Sequence, residues 1–277
     1  MVVLGKVALR SGLPVLSLLA TRFALSAVLL GVICAVLGQP LLAARGERLP
    51  IVLVAVAGYA VEASLFFTAL GHGTAAAVTV LFFTYPVMVA LAFMALGHGA
   101  PGKRLGASLA LSLAGTAVVV GSSGGLSIET AGVVFALGSA VMYTAFLIGA
   151  DRAIRRTSAL TASMWIAAAA SLGLGLYALM SGRAEVPTDR GEWAPIIGMS
   201  LATAGAFAAS LEGLRRLGPV RTAIISATEP LAAAVLAFLF LGEGVSWGTA
   251  VGGAAILAGA VIASLARGAP PAEPPVP

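Results

Sequence analysis

Long apolar runs, separated by short polar or glycine-rich stretches, fill nearly the whole chain. A membrane-spanning helix needs about 20 mostly apolar residues. Full runs of that kind lie at residues 15–37, 50–70, 74–96, 105–121, 130–150, 159–180, 194–214, 219–241 and 247–266, with a fragment from Met1 to about Leu9. Between them, Gly97-His98-Gly99 and Gly121-Ser122-Ser123-Gly124-Gly125 are turn signals. The pattern predicts an all-α integral membrane protein.

Two prolines interrupt matching runs. Pro86 follows Thr84-Tyr85 and Pro230 follows Thr228-Glu229, 144 residues later. A proline inside a helix leaves the carbonyl four residues earlier without its partner. Those carbonyls belong to Phe82 and Ser226, and they are expected to face protein, water or ligand because lipid offers them nothing. The same offset of 144 pairs Gly31 with Gly175, Gly38 with Gly182, Leu113 with Leu257 and Gly115 with Gly259. The expected architecture is a ten-span bundle of two five-helix repeats, residues 1–121 and 130–266. An odd number of spans per repeat makes the second copy insert upside down, and inverted repeats permit inward- and outward-open states. The counterpart of the sixth span would begin about thirteen residues before Met1, so the first helix is expected to be truncated here. The tail, 268–277, is proline-rich with nothing to bury and is expected to be disordered.

Composition agrees. The 277 residues are 60% hydrophobic and 10% charged, whereas soluble domains carry about 25% charged residues. The mean hydropathy is +1.05. The net charge of +5 therefore points to membrane orientation and not to nucleic acid. With the N-terminus in the cytoplasm, eleven basic residues, among them Arg45, Arg48, Arg152, Arg155 and Arg156, fall in cytoplasmic segments, and four fall outside. That bias favours a multi-pass cell-membrane protein with a cytoplasmic C-terminus. Cys34 is the single cysteine and His72 and His98 the two histidines, so neither an internal disulfide nor a metal centre is expected. No Gly-rich phosphate loop and no nucleophile–base set stands in a plausible context, which leaves no expected cofactor and no expected enzyme chemistry.

Ionisable residues within spans are functional candidates by default. Arg22, Glu62 and Glu229 fall inside apolar runs, and each should face the bundle interior. The two glutamates are candidates for binding a cationic group or a proton, since desolvation favours the neutral carboxyl. Arg22 could hold a substrate carboxylate or neutralise a glutamate. The plainer alternative is a structural ion pair between helices. Tyr85 falls opposite Glu229 under the repeat, and its hydroxyl needs a partner. Phe66, Phe67, Phe82 and Phe83 could line a pocket or simply pack. Glu212, one turn before Arg215 and Arg216, reads as a surface pair. Trp193 and Trp247 read as interface anchors. Gly248 and Gly252 form a GxxxG spacing suited to internal packing or to a homodimer.

Taken in order, Thr21-Arg22-Phe23, Phe67-Thr68-Ala69-Leu70, Thr228-Glu229-Pro230, Leu241-Gly242-Glu243 and Ile256-Leu257-Ala258-Gly259 resemble the EamA-type ten-helix branch of the drug/metabolite transporter superfamily. The resemblance implies a central cavity lined by the third, fourth, eighth and ninth spans, including Glu62, Tyr85 and Glu229. It also implies alternating access for a small metabolite such as an amino acid, an amine or a drug-like molecule. The expected partners are that substrate, the lipid bilayer and, as a coupling ion, the proton, with the chain a monomer or homodimer. The expected substrate-binding set is Glu62, Tyr85, Glu229, Phe82, Ser226 and Arg22. The rival readings are a non-transporting membrane scaffold or sensor and, more remotely, an intramembrane enzyme.

Overall fold

A computed structural model describes residues 14–98, 102–122, 128–182, 184–187, 190–232 and 247–265. The expected first-helix fragment, the far half of the ninth run with Leu241-Gly242-Glu243, and the proline-rich tail lie outside them. The described residues form helices where the apolar runs lie. These are α1 (Val15–Val36), α2 (Arg48–Gly71), α3 (Ala75–Phe82), α4 (Tyr85–Phe93), α5 (Lys103–Ser122), α6 (Thr130–Ala153), α7 (Ala159–Met180), α8 (Arg190–Leu217), α9 (Pro219–Ser226) and α10 (Trp247–Leu265). Among the described residues, six helical segments are long and apolar enough to cross a membrane: Val15–Val36, Arg48–Gly71, Ala77–Gly97, Thr130–Ala153, Ala159–Met180 and Trp193–Leu217.

Local chemistry sets the helix ends. Thr74 and Ser158 cap α3 and α7, accepting hydrogen bonds from the backbone N–H of Ala77 and Thr161, both at 3.2 Å. Such caps satisfy donors that the first helical turn leaves free. α1 and α7 both close on a glycine in the left-handed region, Gly38 (φ 63°) and Gly182 (φ 65°), where a side chain would be strained. α2 is not a uniform α-helix. Val54–Ala60 is wound as a π-helix that ends two residues before Glu62, and π segments often occur at functional sites.

The prolines break their helices. α3 ends at Phe82 and α9 at Ser226, the two residues whose carbonyls the prolines would orphan. Threonine hydroxyls brace the turns, each donating to the carbonyl just before the orphaned one. Thr84 donates to the Leu81 carbonyl at 2.7 Å and Thr228 to the Ile225 carbonyl at 2.8 Å.

Helices approach each other through small residues, as membrane packing favours. α1 lies along α7, and α5 along α10; α2 packs on α6 and α7, while α9 touches α4, α8 and α10. A Cβ placed on Gly115 would stand 2.6 Å from the Gly252 carbonyl oxygen, and one on Gly259 would stand 2.9 Å from the Ser108 carbonyl oxygen. The small residues of α10 thus serve packing within the chain. Hydroxyls reinforce the seams. Ser108 donates to the Gly259 carbonyl at 2.7 Å, Ser171 to the Ala20 carbonyl at 2.8 Å and Ser26 to the Ser200 carbonyl at 3.0 Å.

At one end of the bundle Glu47 clips two segments together. Its Oε1 accepts the backbone N–H of Arg155 (3.1 Å) and Arg156 (2.8 Å); its Oε2 accepts the N–H (2.9 Å) and hydroxyl (2.6 Å) of Thr157. Partial burial alone would raise the Glu47 pKa, but the Thr157 hydroxyl and the three N–H groups outweigh it and hold the carboxyl below its usual value. Its stabilising contribution is therefore complete above the ordinary carboxylate pKa and fades as pH falls through the lowered folded value.

Two outcomes follow for thermal unfolding of the full-length protein in detergent. Gly115→Leu overpacks the α5–α10 seam and destabilises by about 1–3 kcal/mol, whereas Gly106→Leu, with no atom within 4 Å of its added Cβ, leaves the melting temperature unchanged. Glu47→Gln lowers the melting temperature at pH 7, and the gap from wild type narrows as the solution is acidified below the carboxylate range.

Candidate functional site

The polar residues of the spans converge near the two breaks. Arg22, on α1, is buried at 1% exposure. Its guanidinium carbon lies 4.3 Å from the Phe23 ring centre and 5.2 Å from that of Phe67. Among the described residues its Nε and Nη1 have no hydrogen-bond partner. Glu62, on the first turn after the π segment of α2, is also buried and accepts a long hydrogen bond from the Ser139 hydroxyl of α6 at 3.4 Å. Arg22 and Glu62 attract each other electrostatically, but neither appears in the two ion pairs found among the described residues.

Aromatic rings join these charges to the first break. Tyr59 packs on Phe207 (4.6 Å between centroids), Phe146 (5.1 Å) and Phe23 (5.5 Å). Tyr143 continues the wall, 5.7 Å from Phe146, 5.4 Å from Phe82 and 4.7 Å edge-to-face from Tyr85. Phe82 in turn meets Phe66 at 5.1 Å. Tyr85 then crosses to the second break. Its hydroxyl donates to the Ala223 carbonyl at 3.3 Å and interacts with the Ser226 side chain.

The sequence-predicted residues are thus brought close in two groups bridged by aromatics. Arg22 and Glu62 form one, while Tyr85, Phe82 and Ser226 form the other. Glu229 has a solvent-accessible side chain, yet its carboxyl stands in crowded surroundings that desolvate it. It is within electrostatic range of Glu62, Tyr59, Tyr85 and Tyr143. The Glu212 pair forms with Arg216, one helical turn away.

Sequence reasoning passed over Tyr59, Tyr143, Phe207 and Ser139. A usable signal existed for the tyrosines. The chain has four, and three of them meet here. Tyr59 also stands three residues before Glu62, on the same helical face.

Comparison with known proteins bears on the whole chain. The model of the EamA-like transporter family matches residues 1–121 and 130–265. A solved structure described only as a crystal structure of a protein has a TM-score of 0.74, covering 95% of this chain and 98% of that chain at 20% identity; this likeness concerns the fold alone. No curated protein matches the chain. The family match covers nearly every residue and the spanning helices accord with it, so the chain is a multi-pass membrane protein that belongs to the EamA-like transporter family.

Proposed function

We propose that the chain is a secondary transporter that carries a small metabolite across the cell membrane by alternating access between two inverted five-helix halves, residues 1–121 and 130–266. The C-terminus is cytoplasmic, in keeping with the distribution of arginines. The substrate site is built from Arg22, Glu62, Tyr85, Phe82, Ser226 and Glu229, with Tyr59 and Tyr143 added to its wall. The proton is the proposed coupling ion, carried by Glu62 or Glu229.

The observation that carries this reading is the meeting of the two proline breaks through Tyr85, beside a buried arginine and glutamate that do not neutralise each other directly. Discontinuous helices at matching positions in two halves are where transporters place their sites. Reciprocal packing supports the halves. Gly31 faces Met164 while Gly175 faces Ala20, and Gly115 faces Gly252 and Ile256 while Gly259 faces Ser108 and Ser112. Shifting either member of each relation by 144 residues generates the other. The braced turns obey the same shift, Thr84 to Leu81 and Thr228 to Ile225. A two-fold relation between halves produces this reciprocity.

The substrate class is a small amphipathic molecule, an amino acid or amine, because both signs of charge and an aromatic wall are present. Glu229→Gln in proteoliposome counterflow reduces transport by about 10- to 100-fold, the equivalent of one charge-assisted hydrogen bond, or alters its pH profile; unchanged transport at every pH would remove Glu229 from the mechanism. In a thermal-shift screen of metabolites, carboxylate-bearing ligands stabilise wild type, and Arg22→Gln loses that shift while retaining the response to simple amines. Equal responses from both proteins to every ligand would assign Arg22 to packing.

A further inference from the structure

Away from the central cluster, a cavity of about 640 Å³ opens between the segment entering α2 and the link from α6 to α7. Its lining includes Arg45, Arg152, Arg155 and Arg156, all exposed, and one acidic residue, Glu47. Four exposed guanidinium groups in one lining leave a positive concave surface that attracts anions. Glu47 offsets one of the four charges, and its hydrogen-bonding capacity is already largely used. Both of its oxygens are engaged by the N–H groups of Arg155, Arg156 and Thr157 and by the Thr157 hydroxyl. The clip instead draws Arg155 and Arg156 towards Arg45. The two ion pairs among the described residues, His72–Glu129 and Arg216–Glu212, involve none of the four arginines.

The wall of the cavity changes character away from the arginines. Leu53 lines it and is 56% exposed, and Leu49, close by on the same turn of α2, is 67% exposed. α2 begins at Arg48 and α6 ends at Ala153. The cavity therefore sits at the ends of spanning helices, at the level of lipid headgroups, with apolar side chains leading from it along α2 into the bilayer.

We infer that this cavity binds the phosphate headgroup of an anionic phospholipid, its acyl chains lying along the Leu49–Leu53 face of α2. Arginine forks match phosphate oxygens two at a time, and basic pockets between spanning helices at the membrane edge suit such headgroups. The continuity of the arginine lining with exposed leucines favours a lipid over free phosphate, which would gain nothing from the apolar wall. The bound headgroup neutralises the lining and tightens the junction that Glu47 already clips, tying the α2 entry to the α6–α7 link.

The test uses the full-length protein in a neutral detergent, with melting temperature as the readout and no dependence on transport. Added dioleoyl phosphatidylglycerol raises the melting temperature by roughly 4 °C at saturation, while dioleoyl phosphatidylcholine at the same mole fraction and inorganic phosphate at the same concentration do not. The triple variant Arg152→Gln, Arg155→Gln, Arg156→Gln loses the lipid-dependent shift, measured from its own baseline. Lys103→Gln with Arg104→Gln, two exposed cations at the start of α5, keeps it. A triple variant that responds like wild type overturns the proposal, as does equal loss in the Lys103/Arg104 variant, which would mean diffuse charge attraction. An equal shift with inorganic phosphate would overturn the lipid assignment.

Discussion

Backbone polar groups inside a membrane must find partners within the protein, and that constraint acts hardest at Pro86 and Pro230. Each proline removes a donor, and each helix stops where its carbonyl would be left free, at Phe82 and Ser226. The nearest hydroxyls brace the turns beside these carbonyls. Thr84 and Thr228 turn back onto carbonyls three residues earlier. The Tyr85 hydroxyl then reaches a carbonyl next to the other break, on Ala223. The two interruptions are consequently one structural unit, and the aromatic wall is built outwards from the tyrosine that joins them.

Elsewhere the same solvent imposes the opposite style. Lipid tails are as apolar as leucine, so helices gain by close approach and interhelical hydrogen bonds more than by burying apolar area. The α1–α7 and α5–α10 seams show this, with glycines facing small residues and Ser171 and Ser108 donating across. A seam closed at glycine has no slack for sliding, because a shift of one residue would set a side chain against backbone. In the proposed transport cycle these pairs move as units, and the conformational change falls on the interrupted helices α3–α4 and α9 and on the π-wound start of α2. Those are the places where hydrogen bonding is already irregular.

Much of this was legible in the sequence because membrane solvent writes a coarse code. The runs 15–37, 159–180 and 247–266 became Val15–Val36, Ala159–Met180 and Trp247–Leu265, since apolar length alone sets where a span can exist. The breaks were legible because proline chemistry is local. The pairing of Tyr85 with the 223–226 turn was only half legible. The offset placed Tyr85 opposite Glu229, but no local rule says that its hydroxyl stops at Ala223. Ser139 was invisible for the same reason, since its role depends on α6 lying against α2, and the scarcity of tyrosines could flag Tyr143 but not its neighbours. The π-helix at Val54–Ala60 leaves no mark in a run of Val, Ala and Gly. Glu47 was missed because a glutamate beside arginines in a connecting segment looks solvated; its partners are backbone N–H groups more than a hundred residues away.

The charges of the central cluster raise a question of energetics that its packing answers in part. A guanidinium with two unpartnered nitrogens in a buried setting carries a penalty of about 1–3 kcal/mol per missing hydrogen bond. The faces of Phe23 and Phe67 return some of this, on the order of 2 kcal/mol for a desolvated cation–aromatic contact. A direct Arg22–Glu62 ion pair would recover more, yet the two groups interact only at longer range, with Tyr59 within reach of both. A cluster that satisfied itself would have little to offer a ligand. Keeping the arginine and the carboxylate out of direct contact leaves unmet demand of both signs, which a molecule bearing a carboxylate and an amine, or an amine together with a proton exchange at Glu229, would meet. On this argument the incomplete pairing at Arg22 is the feature that makes the proposed site a binding site, and it explains why the arginine is held by rings, which leave its N–H groups free, and not by a neighbouring glutamate, which would occupy them.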